Sequence, residues 1–304
     1  MNPRKIKRIV TGHPAVDGAG VRLVRVIGHE TVRDFDPFLM LDAFDSVDPA
    51  DYVKGFPWHP HRGIETVTYL IRGDIEHGDS LGNKGSILDG GCQWMTAGGG
   101  IIHQEMPRAS ERMLGLQLWL NLPAKDKMTD PAYRDLTAEK IPVVNGEGSR
   151  VAVIAGAYQG TAGAMRADYV DATMLDVSLE PGAGVNVSLP ASVTAFVYVI
   201  DGSLSFDAAC DAIPDAAAVG VPAANAAPRA FHDRRRAVLL TDGDAVCLTA
   251  PDSSSARCVL FYGAPLKEPV AWGGPIVMNT QAELDQAYRD LDENTFINKN
   301  SRGT

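Results

Sequence analysis

The chain has 304 residues, of which 45% are hydrophobic, and it carries a formal net charge of −10. This length and composition provide a real core and allow one large domain or two of ordinary size. The acidic balance argues against direct nucleic-acid binding, which requires a basic face.

The cysteines and the N-terminus give expectations about the compartment. Four cysteines, at positions 92, 210, 247 and 258, form no CxxC pair and no dense framework, which is typical of free thiols in a reducing compartment. The N-terminal residues include basic side chains but no apolar h-region, so no signal peptide is expected. No apolar run approaches the roughly 20 residues of a membrane span. We therefore expect a cytoplasmic protein without membrane association.

Strand-like segments dominate the chain. They are rich in Val, Ile, Leu, Tyr and Phe, they are punctuated by Gly, Pro, Asp or Asn, and they lie at 21–28, 65–73, 112–122, 150–156, 173–179, 194–202 and 256–263. Many short strands with regular turn signals predict an all-β sandwich or barrel. The segment "DPAYRDL" (130–136), with Pro131 suited to a first helical position, predicts a short helix closing the first unit.

Two polar pairs stand in the first half of the chain. "FPWHPHRGIET" contains His59 and His61, and "IIHQEMP" contains His103 and Glu105. Side chains alternate between the faces of a strand, so the members of each pair point the same way. The two pairs converge if their strands face each other across a barrel or sandwich. Three imidazoles and one carboxylate suit a divalent transition metal, whereas a lone histidine is more often a core or surface residue.

The remaining histidines lack such a partner and are predicted to be structural or exposed; they are His13, His29, His77 and His232.

A weak internal repeat predicts two β units in tandem. "TVTYLIRGDIEH" (66–77) aligns with "AFVYVIDGSLSF" (195–206) at an offset of 129, and "DGGCQWMTA" (89–97) aligns with "DGDAVCLTA" (242–250) at an offset of 153. The Ala/Pro-rich stretch 207–230 takes up the difference and is predicted to be a mobile loop. With the join near 140–149, the predicted units are 1–139 and 140–304.

The end of the chain predicts a helix over 280–293 that lies against a sheet. Thr280 and Glu283 form a capping-box pattern at its start. The apolar residues at positions i, i+3, i+4 and i+7 form one helix face; they are Leu284, Ala287, Tyr288 and Leu291.

The long segment "HPHRGIETVTYL…GGCQWMTAGGGIIHQEMP" resembles the pirin family of the cupin superfamily, and "GGPIVMNTQAEL" (273–284) is similar to that family's approach to its C-terminal helix. The resemblance implies two tandem cupin β-barrels, a bicupin. It also implies a metal, usually iron, in the N-terminal barrel alone. The ligands carried over from the family are His59, His61, His103 and Glu105.

The repeat predicts that the second barrel lacks this ligand set. The offset of 129 carries His59 and His61 onto Ser188 and Pro190. The offset of 153 carries the other pair onto residues without a suitable donor set, Ala256 and Cys258. No metal is therefore expected in the second barrel through this constellation.

Two further residues near these motifs have open roles. Glu65 follows the first pair, where the general cupin pattern has a glutamate, and it is either a supporting residue of the metal site or a structural hydrogen-bond acceptor. Cys92 is either a redox-sensitive thiol or, as we favour, a buried apolar residue.

The resemblance implies two possible function classes. The first is a quercetin 2,3-dioxygenase-like enzyme, in which Fe(II) and dioxygen cleave a flavonol or similar enol and Glu105 acts as the base. Ligand type alone also permits Mn, Co, Ni, Cu or Zn. The alternative is a non-enzymatic, iron-dependent redox sensor that binds a protein partner, either a transcription factor or a metabolic enzyme.

Overall fold

A computed structural model describes residues 1–206 and 231–297. The predicted loop at 207–230 lies outside these residues. The strands of the first part of the chain are β1 Ile6–Thr11, β2 His13–Asp17, β3 Val21–Ile27, β4 Phe38–Ser46, β5 Phe56–His61, β6 Ile64–Arg72, β7 Asp74–Asp79, β8 Lys84–Leu88, β9 Cys92–Thr96, β10 Ile101–Pro107, β11 Met113–Asn121, β12 Ala132–Leu136 and β13 Val143–Gly146.

The later strands are β14 Ser149–Ala155, β15 Ala157–Tyr158, β16 Thr161–Ala162, β17 Ala172–Leu179, β18 Gly184–Ser188, β19 Thr194–Asp201, β20 Ser203–Ser205, β21 Phe231–Asp233, β22 Arg236–Leu240, β23 Ala245–Thr249, β24 Ala256–Gly263, β25 Ala271–Gly273 and β26 Ile276–Met278. The α-helices are α1 Val32–Phe35 and α2 Gln281–Asp292, and short 3₁₀ helices lie at Pro49–Asp51, Ala124–Asp126 and Ala138–Lys140. No helix in the described ranges combines the length and the hydropathy needed to cross a membrane.

The chain forms two compact units. The first unit contains residues 13–140, 168–170 and 266–297, and its two antiparallel sheets have the strand orders β12-β9-β6-β11-β4-β3-β2 and β5-β10-β7-β8. The second unit contains residues 1–12, 141–167 and the described part of 171–265, and its sheets have the orders β1-β22-β19-β24-β17-β14-β13 and β18-β23-β20-β21. The all-β prediction, with two barrel units and a C-terminal helix, is confirmed.

Each end of the chain belongs to the other unit from the one expected if the chain divides into 1–139 and 140–304. Strand β1 pairs with β22 and so completes a sheet of the second unit. Residues 266–297 return to the first unit, where α2 packs on the β25–β26 hairpin. A prediction that cuts the sequence at one point misses both of these exchanges, because segments distant in sequence complete each unit.

The internal repeat is present, but its second offset is wrong. The strands from β4 to β11 correspond, in chain order, to the strands from β17 to β24. Corresponding strands have the same position in the strand order of their sheets. Strand β10 pairs antiparallel with β5 in the first unit, as β23 pairs antiparallel with β18 in the second. Strand β23 is therefore the equivalent of β10, whereas the predicted offset of 153 had matched it to β9.

The second unit consequently has apolar residues where the first has the polar pairs. The strands equivalent to β5 and β10 are β18 and β23, whose core residues are Val185, Val187, Val246 and Leu248. The predicted equivalents of the second pair, Ala256 and Cys258, lie on β24 instead. The four core residues of β18 and β23 belong to a buried core with strands β14, β17, β19 and β24. Side chains without donor atoms support the prediction that this unit holds no metal through this constellation.

The short helix predicted at 130–136 is wrong. Residues Ala132–Leu136 form β12, an edge strand that pairs antiparallel with β9. Local propensity is a weak preference, and the hydrogen bonds of an open sheet edge override it here.

The C-terminal helix confirms its predicted start. Thr280 Oγ1 accepts a hydrogen bond from Glu283 N, and a carboxylate oxygen of Glu283 accepts one from Thr280 N. Leu284 and Ala287 are buried against Ile276 and Met278, Leu291 is partly buried, and Tyr288 remains 40% exposed.

The expectation of free thiols holds for Cys92 and Cys258, which are buried and unpaired. It is wrong for Cys247, which forms a disulfide. Sequence spacing carried no signal for that bond, because a disulfide depends on the distance between cysteines in the fold.

Candidate metal centre

The two polar pairs lie on neighbouring strands of one sheet. Strands β5 and β10 pair antiparallel, with His59 directly opposite His103. The register then shifts, so that Glu105 lies opposite Phe56. We expected the pairs to face each other across a barrel, but direct pairing brings them together instead.

The structure brings three imidazoles into one cluster. One nitrogen each of His59, His61 and His103 lies within 4.8 Å of the others. Their ring centroids are 4.3 to 5.0 Å apart. His61 and His103 are only 2% exposed. The cluster has the residue types and spacing of a metal centre.

Hydrogen bonds fix the protons of two of these rings. His59 Nδ1 lies 2.9 Å from the carbonyl oxygen of Pro57, and His61 Nδ1 lies 3.1 Å from that of Pro275. A carbonyl only accepts, so each Nδ1 carries the proton and donates it. A neutral imidazole has one proton, and therefore both Nε2 atoms carry lone pairs. These Nε2 atoms are 3.1 Å apart, so two lone pairs face each other unless a cation lies between them.

The third ring has an orphaned nitrogen. His103 Nε2 is buried and has no hydrogen-bond partner. Burial also lowers the pKa of His61 to about 3 and that of His103 well below its ordinary value, so neither ring is protonated to imidazolium at neutral pH. A buried polar atom without a partner is costly, and coordination to a metal ion satisfies it. The donor set thus fits a divalent transition metal.

Glu105 is buried beside the histidine cluster but is not one of the three residues grouped within 4.8 Å. Its Oε1 lies 2.8 Å from the Thr68 hydroxyl, and burial raises the pKa of its carboxyl. It lines the same cavity as His59 and His61. Its role as a fourth ligand remains a prediction.

Glu65 and Cys92 are not among the residues that form the histidine cluster or line its cavity. Glu65 Oε1 accepts a hydrogen bond from Thr96, and burial raises the pKa of the carboxyl. Thr68, three residues along β6, faces Glu105, so the alternation of a strand directs Glu65 to the opposite face. Burial raises the pKa of the Cys92 thiol, which favours an inert core residue.

The other four histidines lie outside the cluster, and His232 packs near Phe206 with ring centroids 5.9 Å apart. His13 is exposed, and His29 stacks on Trp272 with ring centroids 3.8 Å apart. His77, by contrast, is buried in the first unit and hydrogen-bonds to Tyr133.

A cavity of about 660 Å³ opens onto the histidine cluster. Its volume lies in the range of about 300–1,000 Å³ that is typical of small-molecule sites. Aromatic side chains form much of its wall, and they are Phe44, Phe56, Trp119 and Trp272. A flat, largely apolar molecule fits such a wall.

The sequence motifs missed several residues that complete the site. Thr68 and Gln117 stand beside Glu105, and Pro275 supplies the carbonyl that orients His61. Thr68 had a weak signal, because a buried strand carries a hydroxyl at a position facing inward. Pro275 had none, because a backbone carbonyl has no residue signature.

Comparisons with known proteins match both halves of the chain. The family model described as Pirin matches residues 20–120, and the one described as Pirin C-terminal cupin domain matches residues 174–297. A pirin-like protein of Caulobacter vibrioides is 42% identical over 302 residues, which cover 97% of this chain and 100% of that protein. Pirin of Homo sapiens is 38% identical over 289 residues, or 95% and 92% of the two chains.

A solved structure is also similar. The crystal structure of quercetin 2,3-dioxygenase from Acinetobacter baumannii matches with a TM-score of 0.82 and 28% sequence identity, covering 97% of this chain and 98% of that one.

Proposed function

Because the chain belongs to the pirin family, we propose that it is a metal-dependent dioxygenase that opens the ring of a flavonol or a similar enol. His59, His61, His103 and Glu105 hold the ion, and Fe(II) is the first choice on family grounds. The similarity to a quercetin 2,3-dioxygenase supports the reaction class.

One observation carries this proposal. Three imidazoles converge at one end of a cavity with aromatic walls, and the Nε2 lone pairs of His59 and His61 face each other there. A structural zinc site is usually closed and rich in cysteine, whereas this cluster borders open space that a substrate can enter. The arrangement therefore favours a catalytic centre.

The residues around the cavity have separate tasks. A bound divalent ion would supply a Lewis acid and a redox-active centre next to the substrate hydroxyl. Glu105 accepts the proton of that hydroxyl, and its hydrogen bond from Thr68 holds the carboxylate at the cavity wall. Trp119 and Trp272 orient the flat ring system from the cavity wall. In the overall reaction the substrate takes up dioxygen and releases carbon monoxide.

Oxygen consumption tests the proposal directly. Protein loaded with Fe(II) is expected to consume dioxygen and release carbon monoxide when quercetin is added. His61→Ala is expected to abolish both, because it removes a ligand. His13→Ala is the matched control, since His13 is exposed and lies outside the cavity wall.

A protein that binds the metal but consumes no oxygen with a panel of flavonols would contradict the enzymatic proposal. That outcome, together with a partner affinity that depends on the metal's oxidation state, would favour the regulator.

A further inference from the structure

The C-terminal segment, residues 271–297, contacts His61, the second histidine of the first polar pair. This segment comprises β25, β26, α2 and the turn that follows. The Pro275 carbonyl accepts the His61 Nδ1 proton at 3.1 Å. That hydrogen bond leaves the Nε2 lone pair of His61 directed at the histidine cluster.

The same segment also holds the side chain of the next residue, Arg62. Its guanidinium is buried, its Nη1 lies 2.6 Å from Asp290 Oδ2, and its Nη2 donates to the Phe296 carbonyl at 2.9 Å. The guanidinium carbon also lies 4.2 Å from the centre of the Phe296 ring. A buried cation with a carboxylate, a carbonyl and an aromatic face is fixed in position.

Gly63 is tied to the segment by a buried lysine. Lys127 Nζ donates to the carbonyls of Gly63 and Val277, both at 2.8 Å, and to Asn121 Oδ1 at 2.7 Å. Gly63 has a φ of +79°, and an added Cβ would lie 2.0 Å from the Val277 carbonyl oxygen. The close approach of the two backbones therefore requires glycine at this position.

We propose that residues 271–297 are a positioning element of the metal centre, which orients His61 by holding three consecutive residues, 61 to 63. This inference rests on the proposed metal site and adds to it a role for a segment more than 150 residues distant in sequence. Partners that orient ligand histidines commonly change metal affinity by about 10- to 100-fold. Asp290 acts through Arg62 and touches no ligand, so it is a positioning residue.

The test compares two substitutions on α2. Asp290→Asn removes the charge that holds Arg62. Asp285→Asn makes the same change on the exposed face of the helix, where Asp285 accepts a hydrogen bond from Gln281. The readouts are the dissociation constant of Co(II), measured by competition with a chelating dye, and the visible absorption spectrum of the bound Co(II).

Asp290→Asn is expected to weaken Co(II) binding about tenfold and to alter the spectrum, because the His61 ring loses its fixed orientation. Asp285→Asn is expected to match the original protein in both readouts. If Asp290→Asn does not fold, Asp290→Glu, which keeps the charge and displaces it by one methylene, replaces it in the same comparison.

The outcomes separate this inference from the proposed function. Unchanged affinity and spectrum in the Asp290 variant would overturn the positioning role while leaving the metal centre intact. Failure of the original protein to bind Co(II) would instead overturn the metal centre itself.

Discussion

Thr68 has one hydroxyl proton, yet its Oγ1 lies 2.8 Å from Glu105 Oε1 and 2.7 Å from Gln117 Oε1. A glutamine amide can be turned so that its nitrogen takes the place of its oxygen. Gln117 then donates to Thr68, and Thr68 donates to Glu105. This chain of hydrogen bonds fixes the carboxylate that we propose as ligand and base.

Replacement of Thr68 by valine tests this chain. Thr68→Val keeps the shape of the side chain and removes the donor, so we expect metal affinity to fall by about tenfold. Thr66→Val is the control, because Thr66 is a buried threonine two residues earlier on the same face of β6. The dissociation constant of Co(II) is the measurement, and equal values for the two variants would contradict the role of Thr68.

Lys127 provides a second prediction at a single residue. Three buried acceptors lie within 2.8 Å of its ammonium, and Lys127→Met leaves all three without a donor. We expect the first unit to lose about 3 kcal/mol of its free energy of unfolding. Lys125→Met, at a side chain that is 83% exposed, is expected to change little. Urea denaturation measures both, and a stability loss of the same size in the two variants would count against the lysine contacts.

At the scale of elements, the contact between α2 and Arg62 depends on pH. The hydrogen bond from Arg62 lowers the pKa of Asp290 below its ordinary value of 3.8. The folded state therefore binds a proton at Asp290 less tightly than the unfolded chain does. Its contribution to stability is fully present above about pH 4 and is lost as the pH falls through the lower, folded pKa.

We expect Asp290→Asn to lower the free energy of unfolding of the first unit by about 3 kcal/mol at neutral pH, because it leaves Arg62 as a buried charge without a carboxylate. The difference from the original protein should shrink as the pH falls below 3.8. Urea titrations from pH 7 to pH 2.5 measure this difference. A difference that stays constant over that range would show that the ion pair does not supply it.

The strands and helices also show how much of the fold could be predicted from the sequence. Segments rich in apolar residues and bounded by turn residues predicted β6, β11, β17 and β24 within about two residues, and the capping box located the start of α2. The edge strand β12 was missed, because its identity comes from the open edge of β9 and not from its own residues.

The candidate site could be predicted only in part, because side-chain ligands leave a pattern in the sequence whereas backbone geometry does not. Side-chain ligands two residues apart carry a sequence pattern, and His59, His61 and His103 do come together. The pairing of β5 with β10, the register shift before Glu105 and the carbonyl of Pro275 depend on backbone geometry. No residue type encodes them.

At the scale of the whole molecule, the two units have different interiors. The first has a polar cluster beside a cavity, and the second has a continuous apolar core at the equivalent positions. A ligand that binds only the folded form stabilises what it binds, by about 2.7 kcal/mol at a free concentration one hundred times its dissociation constant.

Metal addition is therefore expected to raise the unfolding temperature of the first unit and to leave that of the second unchanged. Calorimetry with and without Co(II) measures the two transitions, and a chelator should reverse the shift. His61→Ala should remove the effect, while an equal shift in both transitions would contradict a single centre in the first unit.

The exchange of chain ends between the units has a consequence for synthesis on the ribosome. β1 is synthesised long before its neighbour β22. Likewise the first unit lacks its closing segment until α2 has emerged. A nascent chain stalled between the two units would therefore carry β1 without its partner strand, and a first unit without the hairpin and helix that hold residues 61 to 63.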